Sequence, residues 1–131
     1  MRREEHMKRS LLLALALVGA LWACGGSSPG SAGSCMGGKE TNCTTTLCCQ
    51  DYRGNFTSAT AQSSCSAISG TYSSTACPSA NRVGSCALYE GTAAEQIVRY
   101  YAGYTVPDHQ PGTDSASANC DALHIGNFTA N

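Results

Sequence analysis

The chain has 131 residues and a net charge of -1 at neutral pH, and nine of its residues are cysteines. Residues 24–131 contain only four scattered cations, which excludes the basic surface that nucleic-acid binding requires. The same residues contain only eleven Leu, Ile, Val and Phe side chains, too few for a large aliphatic core. Cross-links between cysteines are therefore expected to supply much of the stability.

A signal peptide is predicted at residues 1–23. The basic stretch MRREEHMKRS precedes thirteen uncharged residues, LLLALALVGALWA, which end on the small residue Ala23. A basic segment, a short apolar segment and a small residue, in that order, are typical of a secretory signal peptide. The apolar run is shorter than the roughly 20 residues that a membrane-spanning helix needs.

The predicted cleavage site, LWAC at residues 21–24, resembles the lipobox of bacterial lipoproteins. The resemblance implies that Cys24 receives a diacylglycerol thioether, becomes the new N-terminus and is then N-acylated. Two or more acyl chains anchor a protein stably to a membrane, whereas one chain binds only marginally. Gly25 follows the cysteine instead of Asp, which in that family indicates the outer membrane. The predicted location is therefore the bacterial cell envelope, reached by export, with the membrane as the partner of Cys24.

Residues 24–34 are predicted to be a lipidated flexible tether, because GGSSPGSAGS contains no side chain larger than proline. Once Cys24 is acylated, an even number of cysteines remains to form disulfides. Zinc sites usually show two close ligand pairs, which this chain lacks, so neither a metal nor another cofactor is predicted. The disulfide candidates are Cys35, Cys43, Cys48, Cys49, Cys65, Cys77, Cys86 and Cys120.

An internal repeat follows the tether. YRGNFT from Tyr52 matches YAGYT from Tyr101, and Cys65 and its neighbours match Cys120 and its neighbours. The tripeptide GSC also recurs at comparable distances upstream of the two tyrosines. Each copy is too small to bury its own apolar face, so two packed copies are expected.

The elements of one copy are predicted to be a strand, a second strand, a short helix and a short strand. RVGSCALY and EQIVRYYAGY carry the Val, Ile and Tyr typical of strands. A short helix is expected before each repeated cysteine, with Gly70 and Gly126 ending the two helices. The predicted fold is α+β, a small disulfide-rich domain built from two repeated units at residues 35–81 and 82–131.

Equivalent copies would form equivalent bridges, Cys35–Cys65 and Cys86–Cys120. The other four cysteines would then pair among themselves, and two arrangements remain if the adjacent Cys48–Cys49 bond is rejected. A bridge between Cys77 and Cys86 across CPSANRVGSC stays open as an alternative.

The stretch GTYSSTACPSANRVGSC, with RYYAGYT downstream, resembles cysteine-rich repeats in exported lipoproteins of Gram-negative bacteria. The resemblance covers about residues 49–129 and implies an extracytoplasmic location and a small disulfide module. The second copy departs from the first, since it has no counterparts of Cys43, Cys48 and Cys49.

Catalytic residues are not predicted, because no hydrolase, zinc-protease or phosphate-binding spacing occurs. His109 lies between two prolines in a predicted exposed loop, where pairing with Asp108 or Asp114 would make a base or a weak metal site. A solvated loop histidine is the favoured interpretation. Tyr89, Tyr100 and His109 are predicted as a possible binding surface, whereas the repeated tyrosines are expected to fill the core.

The predicted function is that of a membrane-anchored, extracytoplasmic lipoprotein with a non-catalytic module for binding, adhesion or envelope structure. Its exposed loops, notably residues 105–114, would contact an unidentified protein or glycan partner. The alternative is an inhibitor-like or small-ligand-capturing module, in which disulfides present a rigid loop.

Overall fold

The computed structural model describes residues 30–39, 43 and 45–131. The predicted signal peptide, the predicted lipidation site Cys24 and most of the predicted tether lie outside these residues. The described elements, in chain order, are β1 (Ser34–Met36), β2 (Cys48–Tyr52), α1 (Ser58–Ala67), β3 (Thr71–Ser73), β4 (Arg82–Leu88), β5 (Gln96–Tyr101), α2 (Thr113–Ala122) and β6 (Gly126–Ala130). No helix in this part of the chain is long and apolar enough to cross a membrane.

The six strands form one antiparallel sheet in the order β3-β1-β2-β5-β4-β6. The central strands β2 and β5 join the two halves of the sheet, and Gln50 lies opposite Val98 at their junction. Helix α1 contacts β1 and β3, while α2 contacts β4 and β6. A small antiparallel sheet with two helices agrees with the predicted α+β class.

Both helices cover the same face of the sheet. Cys35 lies opposite Gln50, and Cys86 lies opposite Val98, so these four side chains point to one side. Cys35 is bonded to Cys65 of α1, and Cys86 is bonded to Cys120 of α2. On this face the core consists of two clusters, one under each helix, in which disulfide sulfurs and aromatic rings take the place of leucines. A third, smaller cluster on the opposite face contains Cys49, Cys77 and Tyr101.

Four disulfides cross-link the described residues. Besides Cys35–Cys65 and Cys86–Cys120, which equivalent copies predict, the structure contains Cys43–Cys48 and Cys49–Cys77. The latter two form one of the two arrangements that the sequence left open, and the alternative Cys77–Cys86 bridge is absent. A small domain with so many disulfides is typical of a protein exported to an oxidising compartment.

An aromatic pair lies beside each helix-to-sheet disulfide. The rings of Tyr52 and Phe56 are 5.0 Å apart with 56° between their planes, and those of Tyr100 and Tyr104 are 4.9 Å apart with 55°. Tyr52 follows Gln50 by two residues, as Tyr100 follows Val98. Both Tyr52 and Tyr100 therefore point to the side of the sheet that the helices cover.

The two glycines predicted to end the helices have another role. The helices end at Ala67 and Ala122, and the positive φ values that follow belong to Ser69 at 60° and His124 at 55°. Gly70 and Gly126 come after these residues, where a Cβ atom would overlap a sulfur of the adjacent disulfide. These glycines are therefore required by the close approach of the chain to the bridge. The prediction that glycine takes the left-handed position after each helix was wrong, while the Gly70 amide does close the end of α1 by donating to Cys65 O at 2.9 Å.

Gly126→Ala is expected to lower the free energy of unfolding by about 3 kcal/mol, at the upper end of overpacking effects in protein cores. The added methyl group meets Cys86 Sγ, Cys120 Sγ and Leu88, none of which can move without shifting the sheet or the helix. Urea unfolding measures the loss. Gly91→Ala is the control, since open space surrounds that glycine and only its positive φ of 73° is strained. A smaller loss for Gly126→Ala than for Gly91→Ala would contradict the packing argument.

The folded domain begins before the predicted end of the tether. The amide N–H of Ala32 donates to Tyr52 O at 2.7 Å, and the Tyr72 hydroxyl donates to Ala32 O at 3.0 Å. Gly33 is buried against the Tyr72 ring, which leaves no room for a Cβ atom. Residues 31–34 are therefore part of the domain, and the predicted tether boundary at residue 34 is too late. Because Gly33 has no side chain, its backbone can lie directly against the Tyr72 ring.

The connector between the halves crosses the face of the sheet that the helices leave open. Cys77 in this connector is bonded to Cys49 of β2, and its amide donates to Asp51 Oδ1 at 2.7 Å. Asp51 Oδ2 accepts a hydrogen bond from Arg99 Nε of β5 at 3.1 Å. One buried carboxylate thus holds together both central strands and the connector.

Candidate functional site

The sheet has two ends, which the strand directions define. We call the end where β1, β5 and β6 begin the entry end, because the described chain enters the domain there at Ser31. The opposite end is called the far end. Loop 105–114 follows β5 and ends within the first turn of α2, so it lies at the far end.

A buried serine fixes the shape of loop 105–114. Ser115, which is fully buried, donates its hydroxyl to Gln110 O at 2.7 Å and accepts the Val106 amide at 3.1 Å. The Gly112 amide closes the loop on Tyr104 O at 2.7 Å. Both ends of the loop are therefore tied to the first turn of α2, and its tip is held in one conformation.

His109 and Asp114 form the charged part of this loop. Nδ1 of His109 lies 3.3 Å from Oδ2 of Asp114, which also accepts the Gln110 amide at 2.8 Å. The two side chains are 42% and 55% exposed, so water screens their interaction. The pairing with Asp114 is one of the two that the sequence offered for His109. An exposed imidazole held by a carboxylate in this way can make a polar contact with a binding partner.

An open cleft of about 460 Å³ lies between loop 105–114 and α2. Tyr104 and Asn119 form its buried floor, and Val106 and Pro107 form one wall. Small side chains of α2, Ala118 and Ala122, leave the opposite side open, while His109 lies at the rim. The lining combines an aromatic ring, an amide and an imidazole with apolar walls, which suits a small polar ligand or a short peptide segment.

Hydrogen-bonded phenols support the floor of this cleft. The Asn119 side-chain amide donates to the Tyr100 hydroxyl at 2.8 Å, and both groups are buried. Burial raises the pKa of Tyr100 above its ordinary value of 10.0, although the bond from Asn119 lowers it in part. Burial likewise raises the pKa of Tyr104. Both phenols are therefore neutral hydrogen-bonding groups at physiological pH.

The stability of the domain is expected to fall above pH 10, beyond the effect of general charge repulsion. Because the folded-state pKa of Tyr100 lies above 10.0, its contribution is intact below pH 10 and is lost as the pH rises further, where the unfolded chain ionises first. Urea unfolding between pH 7 and 11 measures this loss. Tyr100→Phe is expected to make the alkaline loss less steep, while lowering stability at pH 7 by about 1 kcal/mol through the lost hydrogen bond. Parallel pH profiles for the two proteins would contradict the assignment.

The structure does not bring the three predicted surface residues together. Tyr100 is fully buried, so its prediction as a binding residue was wrong; its alternation with Tyr101 turns it toward the helices. Tyr89 is 47% exposed but lies at the entry end, after β4. Of these three residues, His109 is the one that lies in loop 105–114.

Ser115 and Asn119 were missed by sequence reasoning. Both lie in a Ser- and Ala-rich segment in which no pattern distinguishes a buried polar residue from an exposed one. Their helical positions were predictable, but the partners Gln110 and Tyr100 become visible only when α2 is placed against β5.

No cluster of three or more histidine, cysteine or acidic side chains suitable for a metal occurs in the described part of the chain. Comparisons with family models, with curated proteins and with solved structures find no match to this chain.

Proposed function

We propose that this chain is an exported bacterial lipoprotein, anchored in the outer membrane through acylated Cys24, whose domain is a non-catalytic binding module. Its contact region is loop 105–114, with a protein or glycan as partner. The observation that carries this proposal is the position of the loop: the chain enters the domain at one end of the sheet, and the loop lies at the other. A domain tethered at its entry end presents the far end away from the membrane.

The lipid anchor is supported by the cysteine count. All eight cysteines after Cys24 are bonded in pairs, which leaves Cys24 as the odd thiol of the nine. Ser31 is seven residues after Cys24, and a fully extended chain of that length spans roughly 25 Å. The domain would therefore stay close to the membrane surface.

We also propose that the domain consists of two copies of one unit related by a local two-fold axis. Read from one edge to the centre, the strands are β3, β1 and β2. Read from the other edge to the centre, they are β6, β4 and β5, so each strand of the first half corresponds to the strand three places later in the chain. Both helices have ten residues, and each is bonded to the first strand of its half. Gly70 and Gly126 meet the equivalent sulfurs in the two halves. A duplicated, cross-linked unit makes a rigid support for a loop that only the second copy carries.

Capture of a small ligand is the second candidate function, and the cleft favours it. A concave site of about 460 Å³ with a few polar groups on apolar walls has the size of small-molecule sites in general. The exposed imidazole of His109 would contribute the directional contact, and the ring of Tyr104 the apolar one.

Site-specific photo-crosslinking on intact cells tests the proposal. A photoreactive amino acid at position 109 is expected to form a covalent adduct with a protein or glycan, because His109 lies at the rim of the contact region. The same amino acid at Gln62, exposed on α1, is the matched control and is expected to give none. Equal adducts from both positions, or none from position 109 in folded, acylated protein, would contradict binding through this loop.

The two candidate functions separate in a further comparison. Ala118→Phe would fill the cleft from α2 without touching the exposed tip of loop 105–114. If a macromolecule binds the tip, the adduct at position 109 persists in this variant. If the module captures a small ligand instead, position 109 gives no macromolecular adduct in either protein, and Ala118→Phe abolishes binding of the ligand.

A further inference from the structure

We infer that Tyr89 and Ile125 form a second contact with the membrane, a lipid-facing corner that rests on a surface of zwitterionic headgroups. This inference rests on the proposed lipid anchor at Cys24 and adds the orientation of the domain. Among the large apolar side chains of the described residues, these two are exposed, each to 47%. Exposed apolar side chains are informative where they lie next to one another on the surface, because such patches mark contacts with partners or membranes.

The two side chains belong to one corner of the sheet. Leu88 of β4 and Gly126 of β6 are directly paired, and Tyr89 and Ile125 are the next residues beyond that pair. Tyr89 has a positive φ of 51°, which turns the chain sharply as β4 ends. A tyrosine in this backbone region is unfavourable, and its position at a turn is consistent with a role for its side chain outside the domain.

This corner lies at the entry end, where the tether leaves the domain. Strand β1, which begins beside Ser31, is separated from β4 by three strand spacings and from β6 by four. With a spacing of about 4.8 Å, the corner is roughly 14 to 19 Å from the tether across the sheet. The tether, which spans at most roughly 25 Å, lets this end of the domain touch the membrane. Two separated contacts would stop the domain from pivoting and keep loop 105–114 directed outward.

Charges around the corner decide which lipid surface it fits. Glu90 accepts a hydrogen bond from Asn127 at 3.0 Å, and Glu95 accepts one from the Gly91 amide at 2.9 Å. Asp121, exposed at the end of α2, is a third carboxylate near the corner, and His124 directly precedes Ile125. Arg53 in the neighbouring loop is the cation at this end. The local balance is slightly acidic, so an anionic surface would repel the corner while a zwitterionic one would accept it. Tyrosine is a residue that favours the level of the headgroups.

Tryptophan fluorescence in reconstituted vesicles tests this orientation. The chain has one tryptophan, Trp22, which is removed with the predicted signal peptide, so a variant carries a single indole in its mature form. The acylated protein, isolated from membranes and verified by its mass, is placed in phosphatidylcholine vesicles whose acyl chains are brominated near the headgroups. The variants are Tyr89→Trp and Ile125→Trp, with His109→Trp as the far-end control.

Bromine is expected to reduce the fluorescence of the Tyr89→Trp and Ile125→Trp variants by at least about twofold, since interfacial side chains lie within 5–10 Å of the acyl boundary. The His109→Trp variant is expected to keep its fluorescence. No quenching in correctly acylated Tyr89→Trp and Ile125→Trp variants would overturn the inference and leave the anchor intact, as would equal quenching in all three. An unacylated N-terminus would instead refute the proposed anchor, and this inference with it. Stronger quenching on anionic vesicles would overturn the assignment of zwitterionic lipid.

Discussion

Removing the Cys86–Cys120 bridge by replacing both cysteines with alanine is expected to lower the free energy of unfolding by about 4 kcal/mol, a loss large enough to unfold much of a small domain. The bridge joins residues 34 apart in the sequence, so breaking it releases a long loop in the unfolded chain. Both sulfurs are fully buried in the cluster under α2, where two alanines leave an unfilled space. Urea unfolding followed by near-ultraviolet circular dichroism measures the loss.

The matched control removes the Cys43–Cys48 bridge in the same way. That bridge spans only five residues, so loop entropy predicts a loss of about 2 kcal/mol. If the two double variants lost equal stability, the long bridges would not be the main support of the fold. Loss of α2 with retention of α1 in the Cys86→Ala/Cys120→Ala protein would further show that each bridge stabilises its own half.

Asp51→Asn is the second substitution with a large expected effect, a loss of about 3–5 kcal/mol. The Asp51 side chain is 3% exposed and that of Arg99 is 13% exposed, so the guanidinium would be left nearly without water and without its countercharge. The amide of Asn keeps the shape of the carboxylate, and the variant therefore isolates the charge. Thermal and urea unfolding measure the difference from the native protein.

Two further variants make the Asp51 result specific. Asp121→Asn changes an exposed carboxylate at the end of α2, and its effect is expected to stay within about 0.5 kcal/mol. Asp51→Asn combined with Arg99→Met removes both charges, and part of the lost stability is expected to return because no buried charge remains unpaired. A double variant no more stable than Asp51→Asn alone would contradict the interaction between the two side chains.

The sequence predicted two of the four disulfides that the described residues contain. The match between Cys65 and Cys120, together with the recurring GSC, led to both helix-to-sheet disulfides, and these are present in the structure. The two short helices were predictable from alanine and cysteine at helical spacing, and α1 and α2 include Cys65 and Cys120. The match between these two segments was informative because it limited the possible cysteine pairings.

Features that depend on one pairing of distant residues were not predictable. Asp51 and Arg99 come together through the register of β2 on β5, and nothing in either segment fixes that register. Tyr100 and Tyr101 are adjacent, so the residue facing the core could be chosen only after the strands were paired. In the same way, Ala32 and Gly33 belong to the domain because of Tyr72, which is 40 residues from Ala32 in the sequence.

Mass spectrometry of the native protein, isolated from its membrane fraction without reduction, reports the N-terminus, its acylation and the disulfides together. We expect a mature chain that begins at Cys24, carries acyl chains on that residue, and yields peptides joined as Cys35–Cys65, Cys43–Cys48, Cys49–Cys77 and Cys86–Cys120. A mature protein without acyl chains, or one in which Cys24 forms a disulfide with any of the other eight, would contradict it.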